Sequence, residues 1–391
     1  MIVRRHQAAA GVLLAIALLA GCGSVAAPRA AAGPVSAAGP SLATSQAYAG
    51  GTWAVVVMGG SSAAHNDFWQ IFTRPAGAAK WTLATPLGIA DNGGLTVAEV
   101  GGRALVAATR PSQDLTFAPL SASRDGGAHW SQSGLLPAGL ADVPSAFAGT
   151  SSGGLIALTR HGDAEVAGHA GAAWTHLASE RSLAASPAAR ACGLAGLTGA
   201  AFSPAGAPLL AGTCTHPGAV GLFASSGGAW QAAGLALPSS VGRRDIEVLG
   251  LATVGPASVA LLRAGTGPAA SLITAWSGSG ASRWRVSAPF ALRGRGVRAA
   301  AFGAGGAVGV TLTGGGAVAV TGPGGAWHSL PALPAGAASG PPAAATLAAG
   351  PGGGFEALIA HGGQLSVWQV TSAGWARVQL IKVAIPYGSS G

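Results

Sequence analysis

Charged side chains are scarce in this chain: they make up 8% of its 391 residues, and only 12 are acidic. The net charge of +9 is modest for this length, and no basic stretch alternates with aromatic residues as in RNA-binding segments. The histidines form no H-x-x-x-H pair, and there is no P-loop. These absences argue against nucleic-acid partners, a metal site and a nucleotide cofactor, and we expect no cofactor.

Long hydrophobic runs are also lacking, with one short exception at the N-terminus. Arg4 and Arg5 precede an apolar run from Ala8 to Ala20, which is shorter than the roughly 20 residues that a membrane-spanning helix needs. A basic start followed by a short apolar run is typical of a secretory signal peptide. The run leads into the string LAGC, which ends at Cys22.

This LAGC string resembles the lipobox of bacterial lipoproteins, whose cysteine is lipidated and becomes the first residue after cleavage. The resemblance implies a signal peptide over residues 1–21 and acyl chains on Cys22. It also implies an anchor on the extracytoplasmic face of the cell membrane. The alternative is an ordinary signal peptide with an unmodified Cys22. Residues 22–45 are rich in Ala, Gly, Pro and Ser, which predicts a flexible tether.

Two further cysteines, Cys192 and Cys214, complete the set of three. An exported chain meets oxidising conditions, where an even pair favours a disulfide. Cys192 lies 11 residues before Ser203 and Cys214 lies 8 residues after Gly206, on either side of the turn string SPAG. Antiparallel pairing across this turn would bring the two cysteines close enough to bridge. The alternative is a pair of buried free thiols.

Glycine and tryptophan, in contrast, are plentiful and recur periodically. Seven tryptophans follow small, Gly-rich turns at spacings of 49, 44, 56, 54, 43 and 48 residues: Trp81, Trp130, Trp174, Trp230, Trp284, Trp327 and Trp375. This period is typical of four-stranded propeller blades. Short β-rich runs, such as LTVAEV at Leu95–Val100, alternate with hairpin signals between them. The pattern predicts an all-β, seven-bladed β-propeller of four-stranded antiparallel blades over residues 46–391.

The stretch SRDGGAHW contains the pattern S-x-D-x-G-x-x-W, formed by Ser123, Asp125, Gly127 and Trp130. It resembles the Asp-box, or BNR repeat, of sialidase-like propellers, and the other six turns are degenerate copies. In those propellers the box joins the third and fourth strands on the face opposite the active site. The resemblance therefore implies a structural role for Asp125, whose side chain accepts backbone N–H bonds within the turn.

The catalytic set of the sialidase-like family is not matched. Its nucleophile is a tyrosine, and this chain has only Tyr48 and Tyr387, near the two ends of the expected propeller. The string FTRPAG around Arg74 is a poor match to the family's arginine motif and is expected in a third-to-fourth-strand turn. The resemblance thus extends to the fold and the turn, and we assign no catalytic residue.

Arginines recur where second strands are expected to end, on the face opposite the Asp-box. These are Arg110, Arg160 and Arg263, joined by Arg243 and Arg244 from a blade-to-blade connection. Arginine offers a planar, permanently charged fork for carboxylate or phosphate, which predicts an anionic ligand there. The alternative is ordinary solvated loop charge.

Two function hypotheses follow. The first is a non-enzymatic, lipid-anchored module that binds an anionic envelope polymer or protein. The second is a glycan-acting hydrolase or lyase of sialidase-like fold, which would need a convergent acid–base pair. The candidates for that pair are Asp67, Asp91, Asp114, Asp142, Asp163 and Asp245. Both hypotheses remain open from the sequence, as does the oligomeric state.

Overall fold

The computed structural model describes residues 42–59, 67–86, 94–109, 120–132, 140, 143–278, 283–335, 337 and 343–384. The chain divides into two compact units, Met1–Ala37 and Ala38–Gly391, and all the described residues belong to the second. The expected signal peptide, Cys22 and most of the expected tether lie outside the described residues, as do Arg110 and Tyr387. No helix in the described ranges is both long and apolar enough to cross a membrane.

The first half of the described chain forms three up-and-down meanders of four antiparallel strands. Meander 1 consists of β1 (Ala43–Tyr48), β2 (Gly51–Gly59), β3 (Asp67–Pro75) and β4 (Thr82–Leu83); meander 2 of β5 (Leu95–Val100), β6 (Ala104–Thr109), β7 (Leu120–Ser123) and β8 (Ser131–Gln132); and meander 3 of β9 (Ala146–Gly149), β10 (Leu155–Leu158), β11 (Asp163–Ala167) and β12 (Thr175–Ser179). In each of them the Gly-rich turns of the sequence connect neighbouring strands.

The second half repeats this plan. Meander 4 consists of β13 (Leu194–Phe202), β14 (Pro208–Cys214), β15 (Gly221–Ser226) and β16 (Ala229–Ala232); meander 5 of β17 (Ile246–Val254), β18 (Ala257–Ala264), β19 (Ser271–Ser277) and β20 (Trp284–Val286), with a short β21 (Phe290–Ala291) also on β19; meander 6 of β22 (Val297–Phe302), β23 (Val308–Leu312), β24 (Ala317–Val320) and β25 (His328–Ser329); and meander 7 of β26 (Ala345–Ala349), β27 (Phe355–His361), β28 (Gln364–Thr371) and β29 (Gly374–Lys382).

One sheet departs from the purely antiparallel arrangement that the sequence predicts. The first strand of meander 1 pairs in parallel with the first strand of meander 6, so these two meanders form one mixed, eight-stranded sheet. First strands of propeller-like blades have an edge without a partner in their own sheet, and here β1 and β22 satisfy each other's backbone groups. β1 also begins at Ala43, ahead of the expected boundary at Gln46, because Thr44 and Ser45 are buried and Ser45 Oγ donates to Trp53 O.

Two short helices interrupt the β-structure between meanders 3 and 4: α1 (Glu180–Ala184) and α2 (Pro187–Cys192). Ser179 and Ser182 cap α1 reciprocally, and Ser186 caps α2 with Pro187 in its first turn. A disulfide joins Cys192, at the end of α2, to Cys214, at the end of β14, with a Cα–Cα distance of 5.2 Å. It fixes the helical connection to the second strand of meander 4.

The recurring tryptophans connect each meander to the one before it. Three indole N–H groups donate to residues that follow the last strand of the preceding meander: Trp130 to Ala84 O (2.6 Å), Trp327 to Ser287 Oγ (3.0 Å) and Trp375 to Pro331 O (2.9 Å). The rings pack into apolar clusters that include residues of that preceding meander. A tryptophan at this position therefore stabilises the contact between meanders as well as its own hairpin.

Meander 1 contacts meander 7 in the same way, and we call this contact the seam. Its polar cluster consists of Arg74, Trp81, Glu356, Gln369 and Gln379. Glu356, on β27, is buried and ion-paired with Arg74, which lies within β3 and not in the turn that its sequence pattern suggested. Trp81 Nε1 donates to Glu356 Oε2 at 2.8 Å, and Gln369 Nε2 donates to Glu356 Oε1 at 2.7 Å. The buried charges of the seam are therefore paired and hydrogen-bonded.

Candidate functional site

A cavity of about 400 Å³ lies among the first strands of meanders 1 to 5. Every one of β1, β5, β9, β13 and β17 contributes residues to its wall. The polar lining includes Gln46, Thr198, Glu99 and Glu247, and the aromatic lining includes Trp53 and Trp69. A concave, mostly apolar space with a few convergent polar groups is the usual form of a ligand site, so this cavity is the candidate site.

Glu247, which lines the cavity, forms an ion pair with a residue of the neighbouring strand. Glu247 on β17 and Arg263 on β18 are cross-strand partners, and the Arg263 guanidinium donates to the Glu247 carboxylate. Both side chains are about one-third exposed, at 35% and 37%. We call Glu247 and Arg263 the rim pair. Arg263 was predicted as a residue aimed at an external anion; in the structure its guanidinium has a carboxylate partner of its own, Glu247.

Arg160 follows β10 and lines the same cavity from meander 3. The lining of one cavity therefore includes Arg160 and the Glu247 carboxylate that pairs with Arg263; Arg263 itself is not among the lining residues, and its predicted contact with a ligand stays a prediction. The third member of the predicted set, Arg110, lies outside the described residues. The cavity lining thus includes a basic residue from meander 3 and, from meander 5, an acidic residue whose partner is Arg263.

Arg243 and Arg244 are adjacent in the connection before β17, but they differ in hydrogen bonding and exposure. Arg244 Nη1 donates to Ala269 O at 2.5 Å and to Ser271 Oγ at 3.4 Å, so it holds the connection between β18 and β19 in place. Arg243 is exposed, and neither residue lines the cavity. The Arg244 guanidinium is thus hydrogen-bonded within meander 5, and the prediction that Arg244 contacts a ligand stays a prediction.

Glu99, on β5, is a cavity carboxylate that sequence reasoning missed. Its Oε1 accepts from the Gly102 N–H at 2.7 Å, and burial raises the pKa of the carboxyl above its ordinary value. Glu99 also acts on Tyr48: burial and the Glu99 charge together raise the pKa of that phenol to about 12. Tyr48 is therefore protonated near neutral pH and is poorly suited to act as a nucleophile.

Of the carboxylates predicted as an acid–base pair, the two whose side chains the structure describes do not line this cavity. Asp163 begins β11 and Asp245 is exposed before β17, and neither lines the wall. Asp91, Asp114 and Asp142 lie outside the described residues, as does the side chain of Asp67. The carboxylates that do line the cavity are Glu99 and Glu247. Each interrupts an otherwise apolar first strand, in LTVAEV and IEVLGLATV, and that interruption was the available signal.

The Asp-box stretch forms the turn between β7 and β8, away from the cavity wall. Ser123 Oγ donates to Asp125 Oδ1 at 2.8 Å and accepts from Gly127 N at 2.8 Å, while His129 N donates to Asp125 Oδ1 at 2.9 Å. These bonds hold the pKa of the Asp125 carboxyl well below its usual range, and the backbone bond from His129 is the largest cause. All its partners belong to the turn, which gives Asp125 a structural role.

Gly127 must remain without a side chain for this turn to reach meander 1. Its φ is +97°, and an added Cβ would stand 2.9 Å from the Ala84 Cβ. At the same contact, Trp130 Nε1 donates a hydrogen bond to the Ala84 carbonyl. The four Asp-box residues therefore determine how meander 2 packs on meander 1.

One short stretch matches the sequence pattern of a hydrolase nucleophile elbow but lies in a different structural context. Gly149–Gly153 reads G-x-S-x-G, yet it lies in the turn between the antiparallel strands β9 and β10, with Ser151 exposed. A nucleophile elbow joins a strand to a helix. Within the described ranges, no group of three or more His, Cys, Asp or Glu side chains could hold a metal ion.

The repeated meanders and the cavity among their first strands define a β-propeller-like protein. Solved structures with this architecture are similar to the chain at low sequence identity. A protein assigned as a 6-phosphogluconolactonase from Bacteroides uniformis aligns with a TM-score of 0.51 and 14% identity, over 85% of this chain and 97% of that one. This likeness shows the fold alone.

Two further structures align with lower TM-scores. YCF48, solved with a bound peptide, gives a TM-score of 0.43 and 15% identity over 83% of this chain and 91% of that one. An ulvan lyase bound to a glucuronate-containing saccharide gives 0.43 and 10% over 73% and 80%. No family model matches the chain, and no curated protein matches it.

Proposed function

We propose that this chain is an exported, lipid-anchored, seven-bladed β-propeller that binds an anionic envelope polymer or protein at the cavity. The single observation that carries the binding function is the cavity itself, whose lining includes Arg160 and Glu247, the latter ion-paired with Arg263. Arginine forks recognise carboxylate and phosphate groups, and the neighbouring Glu247 makes such a site selective rather than uniformly basic.

Closure of the seven meanders into a ring is supported by the seam. Trp81 of meander 1 packs in an apolar cluster with Leu358 and Val367 of meander 7, as later tryptophans pack on their preceding meanders. First strands of successive meanders are also adjacent around the cavity. A closed ring leaves no blade without two neighbours, which removes exposed sheet faces.

The anchoring part of the proposal rests on the lipobox-like string and concerns residues outside the described ranges. The test is fractionation of cells that express the chain with and without Cys22→Ala. We expect the unaltered chain in the membrane fraction and the variant in the soluble exported fraction. Equal release of both would contradict a lipid anchor at Cys22.

The binding part is tested with the chain from residue 22 onward carrying Cys22→Ser. Trp53 and Trp69 line the cavity, so tryptophan fluorescence should report occupancy. We expect oligogalacturonate, a carboxylated glycan, to change the emission, and uncharged dextran to leave it unchanged. Arg160→Ala should weaken the response, whereas Arg285→Ala, which removes an exposed arginine outside the cavity wall, should not. A response that dextran reproduces would refute recognition of an anion.

The second candidate function, a glycan hydrolase or lyase, is favoured by one observation. A general acid needs a raised pKa, and Glu99 has one within the cavity. Incubation with oligogalacturonate, followed by assays for new reducing ends and for unsaturated products, separates the candidates. Turnover that Glu99→Gln abolishes would establish the enzyme; binding without turnover supports the binding module.

A further inference from the structure

The outer strands of meanders 1 and 7 carry an unusual concentration of exposed apolar side chains. In the described part of the chain, the exposed large apolar residues are all on β4, β28 and β29: Leu83 (43% exposed), Val370 (42%), Val378 (50%) and Leu380 (43%). β29 is also nine residues long, whereas the outermost strands of the other meanders have two to five. Single exposed apolar residues are ordinary, but their restriction to neighbouring strands requires an explanation.

Two hydrogen bonds hold these strands together across the seam. Trp81 N donates to Gln379 Oε1 at 2.9 Å, and Gln379 Nε2 donates to Trp81 O at 2.8 Å. Leu83 stands two residues after Trp81, while Val378 and Leu380 flank Gln379. Leu83 on β4 and Val378 and Leu380 on β29 therefore lie on the two strands that meet at this contact.

The charged residues in the two segments that carry Leu83, Val370, Val378 and Leu380 are all positive. Lys80 and Lys382 are the only two lysines in the sequence, and both are exposed here, together with Arg377. Neither residues 68–86 nor residues 364–384 contain an aspartate or glutamate. The nearby Glu356 is buried and paired with Arg74, so it does not neutralise this surface. We call Lys80, Leu83, Arg377, Val378, Leu380 and Lys382 the outer patch.

We propose that the outer patch docks the protein onto an anionic lipid surface. Exposed apolar residues flanked by cations are the composition that binds at a membrane interface, because lysine and arginine extend their charges to headgroups while apolar side chains enter the boundary region. Strand addition by another protein is disfavoured, since a β-bulge at Val378 interrupts the pairing of β28 with β29 and distorts the edge. No residue of the outer patch lines the cavity, so this proposal is independent of the proposed ligand site.

The experiment measures binding of the chain from residue 22 onward, with Cys22→Ser, to vesicles by flotation. It contains every described residue and carries no acyl chain. We expect binding to vesicles of equal parts phosphatidylcholine and phosphatidylglycerol, decreasing with added salt, and none to phosphatidylcholine alone. Replacing Lys80 and Lys382 together by Gln should weaken the affinity roughly 25-fold, at about fivefold per charge.

The matched control is Arg181→Gln with Arg285→Gln, which removes two exposed cations from α1 and β20. We expect this variant to keep its vesicle affinity within about twofold, because its charges lie outside the outer patch. An equal loss in the control, or no binding of the unaltered chain to anionic vesicles, would overturn the proposal. So would a dimer in sedimentation that Val378→Ser with Leu380→Ser converts to a monomer, since the patch would then join two copies of this chain.

Discussion

Two arginine–glutamate pairs in this molecule show how burial changes what an ion pair does. In the seam, Arg74 and Glu356 are 6% and 2% exposed, and Trp81 and Gln369 supply further hydrogen bonds to the carboxylate. Glu247, which lines the cavity, and its partner Arg263 are each about one-third exposed, and no hydrogen bond from a second side chain to Glu247 accompanies their contact in the described structure. The buried pair is fully enclosed by the protein, whereas the rim pair remains accessible to a ligand.

The comparison implies different consequences of breaking each pair. A buried charge that loses its partner is left without water or counter-charge, which costs several kcal/mol. A pair that solvent reaches contributes little to stability, because water screens it and replaces the lost contact. We therefore assign the seam pair to the fold and the rim pair to the site.

Glu356→Gln tests the fold assignment and should have the largest effect. The amide keeps the shape of the side chain but leaves the buried Arg74 charge without a counter-charge, so we expect a loss of about 3–5 kcal/mol in the free energy of unfolding. Chemical denaturation followed by tryptophan fluorescence measures this loss. The matched variant is Arg74→Met with Glu356→Leu, which removes both charges and should lose less than Glu356→Gln alone. If Glu356→Gln changed the free energy of unfolding by less than about 1 kcal/mol, the seam pair would contribute no more to stability than a solvent-exposed ion pair.

The disulfide makes a covalent contribution to stability that can be compared with the loss expected for Glu356→Gln. Replacing Cys192 and Cys214 together by Ser should lower the free energy of unfolding by about 2–4 kcal/mol, because the unfolded chain is no longer constrained over the closed loop. Denaturation with and without reductant checks this: reductant should destabilise the unaltered chain and leave the double variant unchanged. Equal sensitivity of both proteins to reductant would mean that the bridge does not form.

The Asp-box turn should contribute a stability term with a distinct pH dependence. The folded-state pKa of Asp125 is below its unfolded value, so its contribution is present above the ordinary aspartate pKa of about 3.9 and is lost as the pH falls through the depressed value. Asp125→Asn should therefore be less stable than the unaltered chain at neutral pH, and the two should converge in strong acid. The control, Asp245→Asn, removes an exposed aspartate from a connection and should track the unaltered chain at every pH. A pH-independent difference for Asp125→Asn would show that its charge is not involved.

Individual strands of this architecture could be predicted from local sequence signals. The contacts between meanders could not, because they join residues that are far apart in the sequence. Strand β5 matches the run LTVAEV, since Gly-rich turns bound it on the chain itself. The contact between Trp130 and Ala84 was missed because it joins residues 46 positions apart in different meanders. The parallel pairing of β1 with β22 is equally non-local.

The site shows the same division. Arg160 was named because an arginine after an expected strand end is visible in the sequence, whereas Glu247 was not among the carboxylates singled out. Its pairing with Arg263 depends on a β-bulge between Val248 and Gly250, which shifts the register set by the turn at Gly255 by one residue, so the turn alone does not predict this pair. The burial that raises the pKa of Glu99 arises only when the meanders assemble.

Arg263→Ala tests the site assignment and should have the smallest effect on stability. Because the rim pair is reached by solvent, we expect a change of no more than about 1 kcal/mol in the free energy of unfolding. The same substitution leaves Glu247 without its partner in the cavity wall, so the carboxylate should repel an anionic ligand, and the fluorescence response to oligogalacturonate should weaken. Glu247→Gln is the matched variant: it removes the repelling charge and releases Arg263, so it should bind the same glycan at least as well as the unaltered chain. If Arg263→Ala destabilised the protein as strongly as Glu356→Gln while leaving glycan binding unchanged, the two pairs would both be structural, and the cavity would need another determinant of charge recognition.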